Sequence, residues 1–318
     1  MKSFVLTISI ILAGCGSGVS GDVPTGSRPI DLDRSGEGTL LAYYLGAYVD
    51  PPTDPITAGI LYERDGSFLL APDDTLRKYA PALSTLSGTS TLDWPALDQF
   101  VSSTYYHQRK LPETVSLLEE VVGAWSSEVG WEELTVKGSM SPYERIVHVR
   151  TNDLMSALAS RERSGDIVYP VGTAFVAEHV DEGRIVEWTL MRKREDGFWD
   201  FAAYDSSGTL SRTIEKSPDP LRVPIQCLGC HVGNRAFEPE RSFPGTATDG
   251  PSGPRYVAVA ESGRDATVVQ ALNEHVRRSD TVLGLYATVY LAELRSRAVA
   301  GLASEDELDI LTRQGLMP

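Results

Sequence analysis

Short polar turns, evenly spaced through an otherwise apolar stretch, fix what residues 167–214 can become. Residues 167–180 read IVYPVGTAFVAEHV, broken by Pro170 and Gly172, and Asp181-Glu182-Gly183 then turns the chain into residues 184–194, RIVEWTLMRKR. Glu195-Asp196-Gly197 leads into residues 198–204, FWDFAAY, and residues 205–208 lead into residues 209–214. Within each segment the apolar residues alternate with period two, the spacing that puts every second side chain on one face of a strand. Connections this short join only antiparallel neighbours, because a parallel crossover needs a dozen residues or more. An antiparallel meander is therefore predicted. Upstream, residues 143–150 read as one more strand, and residues 152–163 (NDLMSALASRER) as a helix capped by Asn152 or Asp153.

The flanks read differently. Residues 39–135 hold apolar runs at 40–49 and 58–62, and predicted helices at 94–103 and 112–126. Residues 265–314 read as two or three helices, with Leu283, Ala287, Leu291, Leu294 and Ala298 along one face of the longest. The expected fold class is α+β: an antiparallel β-meander with flanking helices, plus mainly helical N-terminal and C-terminal segments. The sequence holds no internal repeat, no phosphate-binding glycine loop and no serine nucleophile elbow.

The first fifteen residues, MKSFVLTISIILAGC, place Lys2 ahead of an apolar run from Phe4 to Leu12 and then small residues ending on Cys15. Such a run is short for a membrane span and has the shape of an export signal. Leu12-Ala13-Gly14-Cys15 looks like a bacterial lipobox, in which the Cys15 thiol is acylated and the chain cut before it. Acyl chains at about 0.8 kcal/mol per buried methylene would hold the protein on a membrane. An ordinary signal with a chance cysteine is the competing reading. Gly16 rather than Asp follows, which by analogy with enterobacterial sorting permits outer-membrane delivery. Residues 16–38, rich in Gly, Ser, Pro and Asp, read as a flexible tether. A net charge of −15 repels phosphate backbones and argues against a nucleic-acid partner.

Cys15 accounts for one of three cysteines; the other two lie in Cys227-Leu228-Gly229-Cys230-His231. Two thiols so spaced can each add to a haem vinyl group, with the adjacent histidine placed under the iron. At this composition chance occurrence is roughly 4 in 10,000. A local disulfide between Cys227 and Cys230 competes in an oxidising compartment. Zinc would want a second Cys or His pair, and a thioredoxin-like pair would sit in a βαβ pattern. Acylated Cys15 and a haem c on Cys227 and Cys230, with His231 as axial iron ligand, together use all three cysteines. Beyond the motif the candidate sixth ligands are Met317, one residue from the end, and His275, in a helical stretch that reads as a solvated face. A five-coordinate iron with an open distal side is expected.

With these pieces in order, the chain resembles the cytochrome P-460 and cytochrome c′-beta family. The resemblance runs from about residue 143 to residue 243. It rests on His148-Val149-Arg150-Thr151-Asn152-Asp153, Tyr169-Pro170-Val171-Gly172-Thr173, Met191-Arg192-Lys193, Trp199-Asp200-Phe201 with Tyr204-Asp205, the haem motif, and Phe243. It implies a compact antiparallel sheet with helices, one c-type haem and a five-coordinate iron. One branch of the family oxidises hydroxylamine; the other binds nitric oxide or carbon monoxide. In the oxidising branch an upstream lysine also bonds to the porphyrin. This chain has no lysine between Lys137 and Lys193, and Leu154, Arg161 and Arg163 stand where one would be sought, so no such bond is expected. The resemblance suggests Glu178 as a proton-relaying carboxylate, with a solvent-facing strand glutamate as the alternative. Distal-wall candidates are Phe175, Trp188 and Trp199, and His148 and Arg150 among polar residues, against plain core packing for each aromatic. His107, in the N-terminal region, reads as structural.

The expected organisation is a leader at 1–14, a lipidated tether at 15–38, an N-terminal mostly helical region at 39–135, the haem domain at 136–250 and a helical segment at 254–318. The function expected is that of a membrane-anchored mono-haem cytochrome acting on a small nitrogen oxide, with a redox partner protein as a further expectation. Two alternatives stand beside it: an electron-transfer haem lipoprotein, and a haem-free interaction lipoprotein that keeps the fold.

Overall fold

The computed structural model describes residues 23–31, 37–86, 92–127, 129–136, 143–164, 167–213, 223–224, 227 and 284–318. Its centre is a six-stranded antiparallel sheet in strict chain order, built from β5 (Trp131–Val136), β6 (Glu144–Arg150), β7 (Ala174–Asp181), β8 (Arg184–Lys193), β9 (Trp199–Tyr204) and β10 (Leu210–Ser211). The numbering of these strands follows β1–β4, described below. The meander read from the turns is thus present, and α+β is the fold class. Glu182 and Gly183 take positive φ in the β7–β8 turn, the left-handed backbone that a tight hairpin demands, with no Cβ clash at Gly183.

Directly opposed residues of antiparallel strands share a face. One face carries Val149, Phe175, Met191 and Phe201 in a row, and Val147, Ala177, Thr189 and Ala203 in the next. The other carries His148, Val176, Leu190 and Ala202, and then Ile146, Glu178, Trp188 and Tyr204. Both faces are covered, and every residue of β9 is buried. That explains why its sequence, WDFAAY, is almost continuously apolar.

Helix α5 (Thr151–Ser164) follows β6 directly and buries Leu154, Ala157 and Leu158. It packs against α6 (Gly284–Val299), which also touches β5, and α7 (Glu305–Arg313) packs on α6 in turn. Ala287, Leu291 and Leu294 are buried on α6, as the helical spacing predicts, while Leu283 lies outside the described residues. Gln314 ties this end to α5, donating to the carbonyl of Leu158 at 3.2 Å and accepting from Arg161 at 2.5 Å.

The N-terminal part departs from the mainly helical expectation. It holds α1 (Glu37–Gly46), α2 (Asp73–Tyr79), α3 (Trp94–Gln108) and α4 (Val115–Val122), and also a second sheet of four short strands. Those are β1 (Arg28–Asp31), β2 (Leu61–Arg64), β3 (Ser67–Leu70) and β4 (Leu92–Asp93), in the order β2-β3-β1-β4. Within the span 15–38 expected as a tether, Arg28, Pro29 and Ile30 pair with Leu70, Leu69 and Phe68. The expected boundary at 135/136 also falls inside β5, which pairs with β6 along its whole length. One continuous hydrophobic core runs from Ile30 to Leu316 and takes in both sheets.

The edge of the large sheet is closed by tyrosines. β10 covers only the far end of β9, at Ala203 and Tyr204. Along the rest, Tyr43 of α1 donates to the carbonyl of Trp199 at 2.9 Å, and the Tyr105 hydroxyl of α3 accepts from the amide of Phe201 at 3.1 Å. Tyr106 accepts from the Ala203 amide at 3.3 Å and donates to the Ser211 carbonyl at 2.8 Å. Burial raises the pKa of all three phenols above their ordinary value, so each remains a hydroxyl able to donate.

Candidate functional site

Of the residues predicted to carry the chemistry, Cys15, Cys230 and His231 lie outside the described residues, as does His275. Cys227 and Glu178 are described. Cys227 is half-buried and packed against the core; burial chiefly raises the Tyr43 and Tyr106 phenols, with a smaller contribution from Cys227. The thiol sits near the phenols that close the β9 edge. An apolar, half-open setting of this kind fits a thiol that carries a large apolar group, which would cover the surface left partly exposed.

Glu178 is not the solvent-facing glutamate of the alternative reading. Its Oε1 accepts from the indole Nε1 of Trp125 at 3.1 Å, and its Oε2 lies 3.6 Å from Nε2 of His148. Trp125 comes from a 3-10 turn (Trp125–Ser127) after α4, and its ring stands 6.4 Å from that of His148. Burial pushes the Glu178 carboxyl up, but the neighbouring His148 imidazole and the bond from Trp125, joined by Trp188, outweigh it and hold the group below the usual carboxylate range. Glu178 is thus an ionised acceptor framed by two indoles and an imidazole. Its row continues across the sheet through Trp188 to Tyr204, about 10 Å away at two strand spacings. Tyr106 stands at that end and carries the influence of both Tyr204 and Cys227.

The wall candidates divide between the faces. His148, Glu178 and Trp188 share one, and Arg150 joins them there, its guanidinium 5.7 Å from the Trp131 ring and bonded to the carbonyl of Val122. Phe175 and Trp199 lie on the other, buried with Tyr169 in an aromatic triad whose ring centroids are 5.0–5.8 Å apart. These two are core. A single pocket cannot use both sets, since the sheet stands between them. Lys193 belongs with the second set: it lies 5.1 Å from the Trp199 ring centroid and donates to the Gly197 carbonyl. Burial lowers its pKa to about 8. Leu154 is core, and Arg161 is bonded to Gln314.

Two groupings escape the sequence reading. On the Phe175 face, His179 Nδ1 lies 3.1 Å from Glu187 Oε1 and its Nε2 lies 3.1 Å from the Thr189 hydroxyl. On the Glu178 face, fully buried Asp200 is held by Arg109 at 2.8 and 3.0 Å, Arg192 at 3.1 Å and the Tyr105 hydroxyl at 3.0 Å. Burial raises the Asp200 carboxyl, but Arg109, then Arg194 and Arg192, hold it below the usual carboxylate range. Arg194, also fully buried, pairs with Asp196, donates to the Tyr43 carbonyl at 3.1 Å and lies over the Tyr43 ring at 4.7 Å. The Arg192-Lys193-Arg194 run at the end of β8 was the signal that could have located this cluster. His107 is exposed and lines a cleft beside it. Compared with known proteins, the chain matches no family model, no curated protein and no solved structure.

Proposed function

We propose that the protein is a lipid-anchored, mono-haem c-type cytochrome of the P-460/c′-beta kind that binds or redox-transforms a small nitrogen oxide, nitric oxide or hydroxylamine. The observation that carries this reading is the Cys227-Leu228-Gly229-Cys230-His231 motif, set after an antiparallel meander, together with a first segment whose pattern reads as an export signal. Cys227 and Cys230 would hold the porphyrin through thioether bonds, and His231 would bind the iron. Bound haem would supply an open coordination position for a diatomic ligand.

The chain's own residues supply the surroundings. Cys227 would anchor one edge of the group against the phenols of Tyr43 and Tyr106. Glu178, ionised and held in place by Trp125, would accept a proton at its carboxylate, with His148 at 3.6 Å as the neighbour to exchange it. Phe175 and Trp199 support the sheet from behind, and their replacement should act on stability rather than on ligand binding.

The test is a pyridine haemochrome spectrum of the full chain produced with haem-maturation machinery. A c-type spectrum is expected, with a ferrous form that is high-spin, five-coordinate and ready to bind nitric oxide or carbon monoxide. Protein without covalent haem refutes the reading. A low-spin, six-coordinate ferrous spectrum would move the protein to electron transfer. A red-shifted Soret band that survives denaturation would mean that a lysine had reached the ring, and would favour hydroxylamine oxidation.

A further inference from the structure

The cleft beside the Asp200 cluster holds more positive charge than its own carboxylates balance. It has a volume of about 600 Å³ and lies between the N-terminal part, from residues 48–52 and 107–110, and the sheet, from residues 192–195 and Asp200. Four cations on the Asp200 side line it, Arg109, Lys110, Arg192 and Arg194, against three carboxylates, Asp50, Glu195 and Asp200. The excess stands out on a chain whose net charge is −15.

Its buried part repeats the imbalance. Three arginine side chains, Arg109, Arg192 and Arg194, are 11%, 20% and 0% exposed, and they meet two carboxylates, Asp200 and Asp196, that are 0% and 2% exposed. One positive charge there has no counter-charge within the cluster. Nη1 of Arg194 is buried without a hydrogen-bond partner among the described residues. A desolvated cation short of a counter-ion is costly, and a cleft with low-dielectric walls concentrates its field on whatever enters.

We propose that this cleft binds a small oxyanion, a phosphate- or carboxylate-bearing molecule, which supplies the missing negative charge. Guanidinium groups present planar donor forks matched to both kinds of oxyanion. Lys110 stands with them as a point charge, and Glu195 opposes entry. The proposal is independent of haem and rests on this chain's charge arrangement alone.

Calorimetric titration of the full chain at low ionic strength and pH 7, with inorganic phosphate in one series and citrate in the other, tests it. One saturable site is expected for at least one probe, and the probe that binds identifies the oxyanion. Lys110→Asn should weaken it roughly tenfold, about 1.4 kcal/mol. Asparagine suits position 110, where φ is 47°. Glu195→Gln should tighten binding severalfold and serves as a second measure should that variant fold poorly. Absence of saturable heat with both probes, or an affinity unmoved in both variants, overturns the proposal.

Discussion

Replacing Asp200 by asparagine keeps the side chain's shape and removes the charge that Arg109 and Arg192 share. Two buried guanidinium groups would lose their counter-ion, and about 3–5 kcal/mol of stability should go with it, read as a lower Tm. The sign of the pH dependence follows from the lowered carboxyl. Asp200 contributes stability that is present above the unfolded value near 4 and is lost as pH falls through its lower folded value. Acid unfolding should therefore flatten in Asp200→Asn, and an unchanged acid limb would contradict the assignment. On the proposed function, Cys15→Ser belongs to the same scale: it should leave the protein soluble or uncleaved with an unchanged haem spectrum, and unaltered membrane fractionation would refute the proposed anchor. Single residues were only partly legible in the sequence. Glu178 could be picked out, but Trp125, which holds its carboxylate, arrives from 53 positions away and carries no local mark. Phe175 and Trp199 look like wall residues for the same reason that they are core, namely large apolar area.

Elements were legible where periodicity and turns agreed. Strands β7, β8 and β9 follow from alternation around the turn triplets, and α5 from its spacing, although Asn152 and Asp153, read as its cap, fall inside its first turn. The small sheet was missed because its strands are short, although Asp65-Gly66 between β2 and β3, both at positive φ, is the hairpin pair that would have located it. The contribution of the β9 edge can be measured: Tyr105→Phe and Tyr106→Phe should each lower stability by about 1–3 kcal/mol, since each strands a buried amide. Neither should disturb far-UV circular dichroism. On α6, burial raises Glu293 to about 7, so its folded carboxyl prefers the proton and stability declines as pH rises from its unfolded value near 4 through 7. Glu293→Gln should raise Tm by about 2 °C at pH 8 and not at pH 4, after solvent screening is allowed for. An equal rise at both would assign the effect to packing.

At the scale of the whole molecule, the resemblance that covers residues 143–243 does not mark a unit that stands alone. The core continues without a break from Ile30 to Leu316, and helices before and after the sheet cover it. A fragment of residues 136–250 lacks most of β5, α1, α3, α4 and the C-terminal helices. It should show no cooperative unfolding transition, whereas the full chain should unfold with coincident near- and far-UV signals. Sequence patterns could not reveal this, because contacts such as Tyr43 to Trp199 span 156 positions and leave no periodic trace. The tyrosine-closed edge has a consequence for how such a protein ages. Among the described residues three hydroxyls cover this edge, so a protease that cut behind α3 and freed the N-terminal part would bare a flat row of amides and carbonyls on β9. Strands of other copies add readily to such rows. Nicked protein should accordingly seed fibrils that intact protein does not, and the lag time of thioflavin fluorescence should shorten with the nicked fraction.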